Sequence, residues 1–429
     1  MAQAAAPGSS LPAADAAKRT LLATYALAED RVAFSFDERF ALLRGADGGL
    51  WLIELQAATA IPLPEGGPWH AGSFAPVSDQ LWLVSAGGTA CGFALPPAVG
   101  LATWSLGPLG GADRVEIGIP KVVDEAGRPP QFHDLVVAAD GAHVAWSMTA
   151  GGERLAGVNA VAGGDEIVRF RDVDTAAMVD HGQPWIAFVG DGAHVAVQVR
   201  PRRDGASGGA GGDLEVPGHD GPGLLVWSLA EKRAVAKLAP YVARNTPGYA
   251  LLPDGLALGT RSGTHRWPLL RWRLGATQPT VLLPEARGGH FTDLHVEPRG
   301  RVLCEWDFED DDGIVVIDIE GSRPPRTIAA GHAFVGFARA PTRDEIPASG
   351  GSIAGGVLGR AADGTLRRFS WLTGELQREL PLDPRFKVTT ARWSQRRHRV
   401  LALGHRVIDG KPRETRHEAE LWSLHLAGE

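Results

Sequence analysis

A short apolar run, often an aromatic followed by a polar residue and an aliphatic, recurs eight times along the chain. The copies read LWLIEL (50–55), LATWSL (101–106), EIVRFR (166–171), LLVWSL (224–229), LLRWRL (269–274), IVVIDI (314–319), TLRRFS (365–370) and AELWSL (419–424). Taking Ile53, Trp104, Phe170, Trp227, Trp272, Ile317, Phe369 and Trp422 as equivalent, successive copies are 45 to 66 residues apart. A unit of this size cannot bury its apolar faces alone, so neighbouring units must stack.

The residues around each copy say what the unit is. Upstream lie two β-type runs joined by a tight turn, as in LVVAADGAHVAWSM (135–148), WIAFVGDGAHVAVQV (185–199), YALLPDGLALGT (249–260) and LHVEPRGRVLCEW (294–306). Asp-Gly between alternating apolar runs is a hairpin signal, because glycine accepts the positive φ that such turns need. A fourth run follows, as in AVAKLAP (234–240) and TVLLP (280–284). Four antiparallel strands per unit, with no amphipathic helical pattern between units, predict an all-β chain of small twisted sheets. Packing them radially around an axis protects their edges, which is the β-propeller solution. Eight copies predict eight four-stranded blades. The last copy is short of an outer strand, and RTLLATYAL (19–27) is expected to supply it and close the ring. Seven blades is the alternative, with EIVRFR as an insertion. The predicted organisation is a flexible tail over residues 1–18 and a single propeller domain over 19–426.

The repeat resembles the WD40/YVTN-type β-propeller family in degenerate form. The matching residues are Trp104-Ser105-Leu106, Trp227-Ser228-Leu229 and Trp422-Ser423-Leu424, with a histidine before the first strand of several copies: His70, His133, His290 and His332. The Trp-Asp pair that ends the family's third strand is missing. The resemblance implies a rigid scaffold and a structural role for the repeated histidines.

Composition narrows the function classes. A formal charge of −7, from 43 basic and 50 acidic residues, gives no support to nucleic-acid or anionic-membrane binding. The first twenty residues lack the basic start and apolar stretch of a secretory signal, and no apolar run reaches membrane-spanning length. Cys91 and Cys304 form no CxxC or Cys/His ligand spacing, which predicts two buried free thiols in a reducing compartment and a cytoplasmic protein. Thirty-seven arginines against six lysines resemble a GC-rich bacterial coding bias. There is no GxSxG elbow, HExxH or activated-cysteine arrangement, and the Gly-rich stretch 201–223 lacks the lysine and the strand-to-helix context of a phosphate cradle.

Longer connections at 86–100, 150–165, 200–223 and 406–418 are expected on one face of the ring, with 340–352 on the other. The histidines should gather near the channel mouth of the loop-rich face. The candidate binding face is therefore Trp69, His70, Phe132, His133, Trp185, Tyr241, His290, Phe291 and His332. For metal, the acidic stretch DFEDDDG (307–313) offers only the weak candidates Asp307, Asp310 and Asp312, since its glycine is one place late for an EF-hand loop and strand residues follow. No catalytic residue and no cofactor is predicted. The expected function is a non-catalytic protein-interaction scaffold, one subunit of a bacterial multiprotein complex and monomeric on its own, with an unidentified protein partner. The alternative is an enzyme or a small-molecule or metal sensor using a pocket at the channel mouth.

Overall fold

The computed structural model describes residues 18–20, 27–45, 49–55, 59–64, 67–76, 78–95, 107–108, 114–117, 130–171, 173, 186–190, 192–199, 223–240, 247–252, 254–260, 269–283, 290–296, 301–307, 313–320, 324, 326–338, 356–361, 365–370, 373–380, 386–394, 399–408, 411–412 and 418–423. Within these residues every sheet is antiparallel, and most strands pair with their neighbours in the chain. Six sheets are regular four-stranded blades, and two further sheets have five strands each. The expected eight uniform four-stranded blades, and the seven-blade alternative, are both corrected to this arrangement.

The first sheet comprises Leu27–Phe34, Phe40–Gly45, Leu50–Glu54 and Thr59–Ile61. The second starts with Trp69–Phe74, Gln80–Ser85 and Thr89–Ala94. Its outer edge is a strand in two pieces, since Gly107–Pro108 pairs with Phe93 and Ala94 while Arg114–Glu116 pairs with Thr89 to Cys91. The two pieces pair with the same strand on either side of Gly92, so the fifth strand is a split fourth one. The third sheet is Gln131–Val137, His143–Ala150, Glu153–Ala160 and Glu166–Phe170. The fourth to seventh sheets begin at Ile186–Val189, Pro247–Leu252, His290–Val296 and His332–Ala338. The eighth contains Phe386–Ser394, Arg399–Ile408 and Glu418–Ser423. Lys18–Thr20 is its outer strand, with Arg19 opposite Trp422. Its fifth strand, Lys411–Pro412, folds back on Val407 and Ile408 as a two-residue ladder beyond the main sheet.

The repeat is kept in register throughout. In every sheet the second residue of strand two faces the same position of strand three: Ala41–Ile53, Leu81–Phe93, Val144–Asn159, Val195–Trp227, Leu256–Trp272, Val302–Ile317, Val357–Phe369 and Val400–Trp422. Six of these third-strand anchors coincide with the sequence repeat. Two are corrected: Trp104 lies outside the described residues and Phe93 takes its place, while Phe170 sits in a fourth strand and Asn159 holds the anchor position.

Core clusters straddle neighbouring sheets. Phe40, Leu42 and Leu52 of the first pack with Trp69, Phe74 and Leu83 of the second. Trp82 and Val84 of the second pack with Phe132, Val144 and Trp146 of the third. One cluster joins the third, fourth and fifth sheets, and another the sixth and seventh. Burial between stacked faces, worth about 1.5–3 kcal/mol for each large aliphatic or aromatic side chain, thus stabilises the stack rather than any sheet alone. Contacts between successive sheets run largely through their first strands, which gathers those strands about the axis.

Trp146 is fully buried and needs a glycine beside it. A Cβ on Gly157 would come within 2.8 Å of Trp146 Cε2 and 3.0 Å of the Val168 carbonyl oxygen. Gly157→Ala should therefore destabilise the protein by about 1–3 kcal/mol, the usual cost of overpacking. A thermal melt unchanged from the native protein would show that these strands are not held this closely.

Candidate binding site at the axis

Several first strands begin with a bulge, an extra residue left out of the ladder. It falls between Trp69 and Ala71 in the second sheet and between Phe132 and Asp134 in the third. The bulged residues are His70 and His133, in equivalent places. The sixth and eighth sheets bulge at the matching position, where Thr292 and Thr389 stand. His290 faces Asp307 at the strand start, and His332 faces Ala361, the counterpart of the Trp69 position. The four histidines therefore do not share one repeat position as expected; only His70 and His133 do.

A bulge bends the strand and frees main-chain groups from the ladder. Arg44, on the second strand of the first sheet, reaches two carbonyls at the bulge of the third. Its Nη2 donates to the Phe132 carbonyl at 3.2 Å and its Nη1 to the His133 carbonyl at 3.4 Å. The second sheet separates the first from the third, so such a contact is possible only where the sheets converge on the axis. His133 Nε2 in turn lies 2.8 Å from Thr149 Oγ1, and the next residue, Asp134, is committed to the buried Ser147 hydroxyl at 2.6 Å.

His70 feels the charge of this guanidinium. Burial lowers its pKa from the ordinary 6.5, and the Arg44 charge lowers it further. Its Nδ1 is buried with no hydrogen-bond partner among the described residues. Because the folded protein resists protonating this ring, the unfolded chain takes up the proton first as the pH falls. Stability should decline once the pH drops through 6.5 and level off only below the lowered value. His70→Gln should remove that part of the acid sensitivity, read as a smaller fall in Tm between pH 7.5 and 5.5. An equal fall in both proteins would show that His70 does not carry it.

Trp69 and Phe132 are buried, each ring edge-on to a partner, Phe93 and Trp146, so their side chains belong to the core. His332 donates from Nδ1 to the Ala330 carbonyl at 2.8 Å, leaving Nε2 to accept from Arg367 Nη1 at 3.2 Å, and its ring stands edge-on to Phe369. It is a local clasp within its own sheet. His290 and Phe291 are described by their strand position alone, and Trp185 and Tyr241 lie outside the described residues. Asp307 ends a strand, while Asp310 and Asp312 are outside the described residues. Among the described residues no three His, Cys, Asp or Glu side chains come together as a metal site. Cys91 is partly buried rather than buried as expected.

The long connections divide between the faces less cleanly than expected. Residues 200–222 join strands two and three of the fourth sheet on the face where the first strands begin. The expected long loops at 86–100 and 150–165 instead contain tight turns, at 86–88 and at Gly151–Gly152, each flanked by strands. Residues 95–106, like 339–355, connect on the opposite face. Arg44 was missed because nothing in its local sequence marks it; its role depends on the first and third sheets meeting.

No known family description matches the chain, and no curated protein matches it. Solved structures do. The chain is similar to the computationally designed Ika8 protein at 14% identity and TM-score 0.51, covering 93% of this chain and 98% of that one. It is similar to the Dos1 propeller at 10% identity and TM-score 0.50, covering 95% and 94%. The Cps50 (Swd1) β-propeller domain of Myceliophteria thermophila aligns at 11% identity and TM-score 0.46, covering 95% and 99%.

Proposed function

From a chain that folds as an all-β propeller, we propose a non-catalytic protein-interaction scaffold. In this reading the sheets form a single propeller domain, with Lys18–Thr20 as the outer strand of the sheet that holds Glu418–Ser423. Its working surface is the face on which the first strands begin. The observation that carries the reading is Arg44 of the first sheet reaching the Phe132 and His133 carbonyls of the third, with its charge acting on His70 of the second. A rigid ring fixes these polar groups before binding, so little ordering entropy opposes a partner that fits them.

Affinity purification from the native host, with mass spectrometry of co-eluting proteins, tests the proposal. A stoichiometric partner is the expected result. Recovery of the chain alone under gentle conditions would overturn it and leave a small-molecule site at the axis as the reading to pursue.

A further inference from the structure

Arg44 differs from seven of the described arginines in what it pairs with. Arg39, Arg169, Arg171, Arg233, Arg271, Arg273 and Arg367 each meet a carboxylate. Arg44 meets two main-chain carbonyls and, among the described residues, no acid. A partly buried guanidinium needs an opposite charge, and two rather long bonds to neutral acceptors do not supply one. Three further N–H groups of its fork remain to be used. The imidazole of His70, on which the Arg44 charge acts, has a buried Nδ1 without a partner among the described residues.

We propose that Arg44, flanked by His70 and His133, binds a single carboxylate carried on a peptide segment of the partner protein. The proposal rests on the interaction-scaffold reading and names the chemistry that scaffold recognises. Charge decides for a carboxylate over a phosphate. His70 stays neutral near pH 7, because burial and Arg44 both oppose its protonation, so Arg44 is the one permanent cation that the cluster contributes. One cation matches one carboxylate, and the planar fork fits it with two parallel bonds. A phosphate dianion would keep an uncompensated charge in a chain whose net charge is already −7.

The test needs no knowledge of the partner. Imidazole and arginine Nε–H resonances are followed by NMR while three probes are titrated separately into the full chain. N-acetyl-glutamate α-amide presents a side-chain carboxylate, N-acetyl-alanyl-alanine a chain-terminal one, and inorganic phosphate the dianion. Saturable shifts of His70 and Arg44 with either carboxylate probe are expected, and which probe binds tighter identifies the source. Arg44→Gln should weaken that binding by about tenfold or more, and Arg44→Lys, which keeps the charge but not the fork, by several-fold. The Lys variant keeps the test decisive if the Gln variant does not fold. Phosphate binding tighter than either carboxylate, or carboxylate binding indifferent to both substitutions, would overturn the proposal. Those outcomes leave the scaffold reading to the purification, which can fail or succeed without them.

Discussion

Trp146→Ala should destabilise the protein by about 3–5 kcal/mol, the largest single-residue effect expected in the third sheet. The indole is fully buried and stands edge-on to Phe132, and the Arg169 guanidinium lies 5.4 Å from its ring centre. Its Nε1 donates to Asn159 Oδ1 at 2.8 Å, and Asn159 Nδ2 donates to the Gly164 carbonyl at 3.0 Å. Truncation therefore leaves a cavity and also a buried amide oxygen without its donor, and the two costs add. Trp146→Phe keeps most of the volume and loses the donor. It should fall between the native protein and the alanine variant in the midpoint of chemical denaturation. If Trp146→Phe were as damaging as Trp146→Ala, the hydrogen bond rather than the packing would dominate.

The second large effect is expected at Arg271, which clamps the fifth sheet to the sixth. Its side chain is 5% exposed. Nη2 reaches Asp254 Oδ2 at 2.8 Å within its own sheet, while Nη1 reaches Glu320 Oε1 at 3.0 Å and the Ile319 carbonyl at 2.9 Å in the next. Breaking a fully buried pair costs about 3–5 kcal/mol. Both carboxylates here are half or more exposed and can return to water, so Arg271→Met should cost less, roughly 2–3 kcal/mol, chiefly through the stranded Ile319 carbonyl. Arg273 touches the same two carboxylates from the surface, and Arg273→Met should cost roughly 0–1 kcal/mol. Equal effects in a denaturant titration would mean that burial does not set the strength of this contact.

The repeat was legible in the sequence wherever the third strand carries its own large apolar anchor, as at Trp227, Trp272 and Phe369. It slipped where that anchor was moved or dispersed. In the third sheet the anchor position is Asn159, and the tryptophan that fills the space is on strand two, hydrogen-bonded to that asparagine. The aromatic that the sequence offers instead, Phe170, is one strand further out and packs edge-on to Trp227 of the next sheet. In the second sheet TACGFA has only Phe93, and the broken outer strand stretches the unit until Trp104 looks better placed. Periodicity in sequence reports residue type, whereas the ladder reports backbone position, and the two part company when neighbouring strands trade a side chain.

The site was legible by half. A histidine at the start of a first strand marked His70, His133, His290 and His332 alike, and the structure makes only His70 and His133 the bulged residues. Bulges leave no composition signature of their own, so His290 and His332 looked the same in sequence and occupy other positions. Arg44 lies 89 residues from His133 and 26 from His70, in an ordinary strand, and only the stacking of three sheets brings its guanidinium to them.

A face comparison tests the central claim most directly. The affinity purification is run with a variant carrying Arg44→Gln, His70→Gln and His133→Gln, and with a second carrying Phe36→Ser on the opposite face, where Phe36 is 52% exposed. Stability of each protein is checked first by its thermal melt. The account predicts that the partner is lost from the triple variant and retained by Phe36→Ser. Retention by the triple variant, or equal loss from both, would contradict a working surface centred on Arg44 at the axis.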